Sequence, residues 1–302
     1  GKLVAVGQAK MGQDSYSLVC RFQINGQLDP SFGVDGGCNH IAYDPVNNVA
    51  AYTVAIQGEG YLIGSGGIYS NAWSGHIFRL DASGKIDAQF NQGNSFINLG
   101  PGFLPTKIWV EPSGRFITGI SYALDKCGGP FNTFEARSVQ ILKFLANGLA
   151  DQTFNTRQID FTFGYNFETS EVIDCAIAND ELIDFSVADD GSIFVGMRAE
   201  TAGPTKVSAM VTKLHSNGTF DSTFGEPMGA QAEFGQTAIR IDACPGCGPS
   251  NFTGFARLPN GKMIFSGHTI TPGNATPDFL AIRLLPNGAP DPRFGNDTLG
   301  VP

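Results

Sequence analysis

The stretch Asn25-Gly26-Gln27-Leu28-Asp29-Pro30-Ser31-Phe32-Gly33 decides the fold, because its spacing returns four more times. Asn147-Gly148 leads to Asp151 and Phe154. Asn217-Gly218 leads to Asp221, Phe224 and Gly225, and Asn287-Gly288 to Asp291, Phe294 and Gly295. A looser copy runs from Ser83-Gly84 to Asp87 and Phe90. A fixed spacing of Gly, Asp and Phe in five copies marks a repeat architecture.

Upstream of each copy lies a glycine followed by a short apolar run: Gly1-Lys2-Leu3-Val4-Ala5-Val6-Gly7, Gly60-Tyr61-Leu62-Ile63-Gly64, Gly114 to Gly119, Gly191 to Gly196 and Gly261 to Gly267. Most follow a turn such as Pro112-Ser113, Asp189-Asp190 or Pro259-Asn260, where Gly supplies the positive φ of a tight hairpin. A further apolar segment precedes the turn, as in Lys107-Ile108-Trp109-Val110. Past a loop comes a segment ending in a basic residue and Leu or Phe: Arg21-Phe22, Arg79-Leu80, Lys143-Phe144, Lys213-Leu214 and Arg283-Leu284.

Each unit therefore reads as four strands. Strand a follows the Asp–Phe turn, b precedes the glycine turn, c follows it, and d carries the basic end. The fold class is all-β, a β-propeller of four-stranded antiparallel blades in a single domain over 1–302. The blade units are about 1–36, 37–95, 96–156, 157–229 and 230–302. Four are complete, and the N-terminal one, with c and d alone, is half present. Closing such a ring removes exposed sheet edges. Because the chain starts at Gly1 inside a strand-like stretch, an N-terminal segment is expected to have been removed.

Two of these stretches, Arg283-Leu284-Leu285-Pro286-Asn287-Gly288-Ala289-Pro290-Asp291-Pro292-Arg293-Phe294-Gly295 and Asn217 to Gly225, resemble the bacterial delta-sixty repeat. The resemblance extends over nearly the whole chain in five copies. It implies a β-propeller, often in secreted or surface-attached bacterial proteins, and it implies no activity, since that family shares no catalytic residues. The chain departs from the pattern at Ser83 and Asn91 in the second copy and at Asn155 in the third.

Composition agrees with many short strands: of 302 residues 42% are hydrophobic and 16% charged, with 39 glycines and 24 phenylalanines. The net charge of −9 and the scattered Lys and Arg residues argue against nucleic acid. No apolar run reaches the length of a membrane span. Six cysteines, Cys20, Cys38, Cys127, Cys175, Cys244 and Cys247, suit an oxidising, extracellular or periplasmic compartment. Cys244-Pro245-Gly246-Cys247 is half of a zinc knuckle without its other half, which favours disulfides over metal. Position in the repeat suggests the pairs Cys20–Cys38, Cys127–Cys175 and Cys244–Cys247. No metal or cofactor is expected.

The five aspartates stand one per repeat, too far apart to share an ion. Each is read as an acceptor that locks its turn. Each phenylalanine, Phe32, Phe90, Phe154, Phe224 and Phe294, is read as a plug between blades. The tight b–c and d–a connections belong at one face. The long c–d loops (122–137, 199–207, 268–278) and a–b loops (164–181, 243–251) belong at the other, where binding residues concentrate. Exposed aromatics there, Tyr69, Trp73, Phe131 and Tyr165, are binding candidates. The first functional reading is a secreted or cell-surface module that binds a protein partner or assembles with itself. The second is a carbohydrate-binding, lectin-like propeller. The third is a glycan hydrolase using Asp44, Asp160 or Glu233. His40, His76, His215 and His268 lie in no catalytic motif and read as hydrogen-bonded wall residues. The sequons at Asn217, Asn251, Asn274 and Asn296 read as incidental.

Overall fold

A computed structural model of the chain describes residues 1–12, 14–42, 47–69, 72–124, 136–156, 158–159, 164–166, 171–173, 179–200, 207–227, 237–241, 250–270 and 276–295. The described residues are all-β. They fall into two compact units, Gly1–Tyr122 with Ile141–Phe154, and Ala123–Gln140 with Asn155–Pro302.

In the first unit, β1 (Leu3–Met11), β2 (Asp14–Phe22) and β3 (Cys38–Ile41) form one antiparallel sheet in that order. A second sheet runs β4 (Asn47–Gln57), β5 (Gly60–Tyr69), β6 (Ala72–Leu80), β7 (Phe96–Pro101). Next, β8 (Phe103–Val110) pairs with β9 (Phe116–Leu124), and Phe144 at the end of β10 (Ala136–Phe144) stacks on Phe116. Val19, Phe32, Ile63, Phe78 and Leu80 fill the space between the first two sheets. Leu62, Ile77, Phe90, Ile108 and Phe116 fill the next. Burying these side chains is the main stabilising term, about 1.5–3 kcal/mol for each large one.

In the second unit, β11 (Gln158–Ile159) pairs with β10, and β12 (Gly164–Asn166) with β13 (Glu171–Ile173). β14 (Asn179–Val187), β15 (Ile193–Glu200) and β16 (Val207–Leu214) form an antiparallel set. β17 (Glu226–Pro227) and β18 (Thr237–Ile241) follow, with β18 on the far side of β16. The last sheet is β19 (Ser250–Arg257), β20 (Met263–Thr269), β21 (Asp278–Leu284). Phe194, Phe252, Phe255, Phe265 and Ile282 lie in the core between these two sheets.

The strand order corrects one expectation. The strand that follows each of the first three Asp–Phe turns does not open the next sheet. It folds back on strand d of its own repeat: Cys38 faces Cys20, Phe96 faces Phe78, and Ile159 faces Val139. The turn reverses the chain within a few residues, so the segment beyond it lies beside strand d. The N-terminal sheet accordingly holds three strands, not two.

Burial along the strands differs by place. From Tyr61 to Gly67, β5 is buried at every residue, the mark of a strand covered on both faces. β20 alternates between buried and accessible residues, with Met263, Phe265 and Gly267 inward and Ile264, Ser266 and His268 outward.

Candidate functional site

The five corners share one backbone design. In each, the Asp N–H donates to the carbonyl of the basic residue eight positions earlier, and the Phe N–H donates to the Asp carbonyl. One isolated bridge recurs in each, from Phe22–Leu28 to Leu284–Pro290. The Asp carboxylate turns inward to accept the N–H of the residue two positions on, at Ser31, Gln89, Thr153, Thr223 and Arg293. This is the Asx-type local bond expected of the residue. At the second corner Asn91 takes φ 52°, in the region occupied by Gly33 at 73°. Asn tolerates that conformation, so the corner survives the substitution.

The first three corners also grip the next repeat. Gly33 N–H donates to the Ser83 carbonyl, and Asn91 N–H to the Asn147 carbonyl. The Phe32 ring lies so close beneath Gly84 that a Cβ there would stand 2.8 Å from it, and Phe90 lies the same way beneath Gly148. Those glycines are fixed twice, by positive φ and by the ring. Arg21 donates through Nε to Asp29 at 2.7 Å, through its other nitrogens to Ser31 Oγ and the Ala82 carbonyl, and lies over the Phe32 ring at 4.6 Å. Arg79 repeats this with Asp87, the Ala146 carbonyl and Phe90. Lys143 and Lys213 cannot fork in this way. Lys213 pairs with Asp221 at 2.8 Å, whereas Lys143 turns to Glu111 and leaves Arg115 to approach Asp151.

The carboxylates respond to these partners. Lys2, then the Ser31 hydroxyl, hold Asp29 well below the usual range. Burial raises Asp221, but the Lys213 ammonium and Thr223 outweigh it and push the group down to about 2. Lys262, the Arg293 N–H and Arg283 bring Asp291 to about 2. Permanently ionised and enclosed, these aspartates are braces of the turn, with no proton to exchange near neutrality.

The far ends of the strands carry no such repetition. In register, the place four residues beyond the strand-c residue that faces the corner's basic side chain holds Gln8, Gly66, Arg198 and His268. In the second unit this row is polar and aromatic. Arg198 donates to Asn251 Oδ1 at 2.6 Å and also bonds Glu181 Oε2, linking β15 to β19 and β14. Its Nε–H is buried with no hydrogen-bond partner among the described residues. Asn251, His268 and Phe279 face one another across β19, β20 and β21. His268 is exposed, and Phe279 is 82% exposed.

The aromatic candidates fall elsewhere. Tyr69 ends β5 opposite Ala72, Trp73 lies in β6 opposite Ile68, and Tyr165 lies in β12 opposite Val172. Phe131 lies outside the described residues, as do Cys127, Cys175, Cys244, Cys247, Asp44, Asp160 and Glu233. Cys20 and Cys38 form a disulfide between β2 and β3. His40 pairs with Asp35, and His76 is fully buried, its imidazole pushed down to about 4 by that burial. Among the described residues no group of three or more His, Cys, Asp or Glu could hold a metal ion, and no helix is long and apolar enough to cross a membrane.

Residues 258–294, which lie within the last repeat, match the family model described as Domain of unknown function (DUF5122) beta-propeller. No curated protein matches the chain. Among solved structures it is similar to the endo-arabinase from Bacteroides thetaiotaomicron, at 8% identity over 93% of this chain and 88% of that one, with a TM-score of 0.42. A thermostable family-43 glycoside hydrolase is similar at 11% identity over 94% and 90%, TM-score 0.40. The polysaccharide lyase Uly1 is similar at 10% identity over 93% of this chain and 54% of that one, TM-score 0.40. At these scores the solved structures carry no argument about this chain.

Proposed function

We propose that the chain is a secreted or cell-surface β-propeller that binds its ligand through the loop-bearing ends of its strands. One contrast supports this reading. The corner end repeats one set of bonds five times, as a scaffold does, while the opposite end differs from sheet to sheet in charge, size and polarity. Variable residues on a rigid frame are where recognition concentrates. The Cys20–Cys38 disulfide fits an oxidising compartment. A protein partner, or a second copy of the chain, is the broader form of the reading. A glycan ligand is favoured by the exposed Phe279 beside His268 and Asn251. A hydrolase would need the carboxylates of Asp44, Asp160 or Glu233, and the braced corner aspartates cannot replace them.

The test is selection of ligands from a displayed-protein library and a glycan array, followed by competition with two sets of variants. Changes at the loop-bearing end, His268→Ala with Arg198→Ala, should weaken the selected ligands. Changes at the turn end, Ser113→Arg with Asn260→Arg, should not. Ligands lost only on turn-end substitution would overturn the proposal, as would turnover of a bound glycan.

A further inference from the structure

We infer that the layer between the first two sheets holds an internal water molecule shared by the hydroxyls of Ser17 and Ser65. The site lies wholly within the first unit and is independent of what the loop-bearing end binds. Register places the two hydroxyls together. Along β2 the residues Arg21, Val19 and Ser17 point to one side, and along β5 Tyr61, Ile63 and Ser65 do the same. The two rows meet at their corner ends, where the Arg21 guanidinium donates to the Tyr61 hydroxyl at 3.3 Å. They meet again one step on, where Val19 and Ile63 share one core with Phe78. The next step brings Ser17 opposite Ser65.

Both serines are enclosed, at 0% and 1% exposure. Neither Oγ has a hydrogen-bond partner among the described residues. A buried hydroxyl that has given up water without a replacement destabilises the fold, and buried polar atoms are normally bonded to protein or to ordered water. Each serine hydroxyl carries one donor and two acceptor sites, and an internal water needs two to four polar partners. Packed sheets stand about 10 Å apart, and a serine side chain reaches in about 2 Å. The remaining distance, about 6 Å, is the span of one water making two hydrogen bonds of about 2.8 Å.

The chemistry of the rung selects a neutral guest. Gln8 and Ile41 flank Ser17, while Ala51 and His76 flank Ser65, with Asn98 beyond. None of these carries a charge near neutrality, since burial keeps the His76 imidazole in its neutral form. An ion would enter this layer with no counter-charge in the rung, which burial penalises heavily. On the opposite face of the second sheet the corresponding space is filled by carbon, because Leu104 lies against Gly66. The wet and dry layers are therefore set by adjacent residues of β5.

The test joins a crystal structure of the full chain, at a resolution that shows ordered solvent, with urea unfolding of Ser17→Ala, Ser65→Ala and the double variant. One solvent oxygen should lie within about 3 Å of both Oγ atoms, and it should be gone from the double variant. Alanine keeps the Cβ of each site, so the variants test the hydroxyls alone. Because either substitution removes one of the two groups that hold the same molecule, the losses in urea midpoint should not add. The double variant should lose clearly less than the two single losses together. Solvent bonded to one hydroxyl only, a protein group bonded to both in its place, or losses that add would each overturn the inference.

Discussion

Ala50, Gly66 and Gly75 in the second sheet hold the places, counted from Arg79, that Asn251, His268 and Phe279 hold in the last sheet counted from Arg283. The first row is closed. Leu104 lies against Gly66, and a Cβ on Gly75 would overlap the Phe103 carbonyl oxygen. The second is open and chemically armed. The same strand geometry thus serves two ends. Where a neighbouring sheet presses its backbone down on the row, side chains must vanish. Where nothing among the described residues presses, large and polar side chains are tolerated. A repeat scaffold can therefore leave one row of strand ends uncovered without altering the frame.

The largest test of that contrast is steric. Gly75→Val should cost more than about 4 kcal/mol, at the exceptional end for one substitution, because the colliding partner is backbone. Phe279→Ala and His268→Ala should stay within about 0.5 kcal/mol. Urea unfolding of the three variants checks this, and equal tolerance would erase the distinction between the rows. Next in size, Phe32→Ala should cost about 3–5 kcal/mol, for it empties a fully buried site. Phe294→Ala should cost far less, since that ring is only half-buried. A smaller loss, about 1–3 kcal/mol, is expected for Arg21→Lys, which keeps the charge but cannot hold Asp29, Ser31 and the Ala82 carbonyl together. Lys143→Arg, at the corner that already does without the fork, should be nearly silent. Thermal melts of the pair would show whether the fork matters.

The smallest effect is set by pH. Folded Asp221 sits at about 2, below the ordinary carboxylate value of about 3.9. Its contribution is complete above that ordinary value and is lost as pH falls toward about 2. The thermal midpoint should drop across that window, and Asp221→Asn should shrink the drop. An unchanged pH profile in that variant would show that the brace contributes nothing.

The corners were legible in the sequence because everything they need is local: Asp221 bonds the Lys213 carbonyl, Thr223 and Phe224, all within a few residues. The hairpin turns were legible for the same reason. Strand order was not. Whether β3 extends the sheet of β2 or opens the next depends on which edge is nearer after the corner, and no residue type encodes that. In the sequence His268 reads as part of the wall and Asn251 as an incidental sequon, while Glu181, Arg198 and Phe279 belong to no motif. Together with His268 they come from five different strands, each with an ordinary neighbourhood in the chain.

The sequence by itself determined the repeat, the all-β class and the chemistry of each Asp–Phe turn, because these follow from backbone preferences acting over fewer than about ten residues. Only the tertiary structure decided that the strand after each of the first three turns closes the preceding sheet, that Phe32 and Phe90 sit under the next repeat's glycine, and that the row of Asn251, His268 and Phe279 differs from its counterpart in the second sheet. Those outcomes depend on which surfaces meet, and contact between distant segments is settled by packing rather than by local spacing.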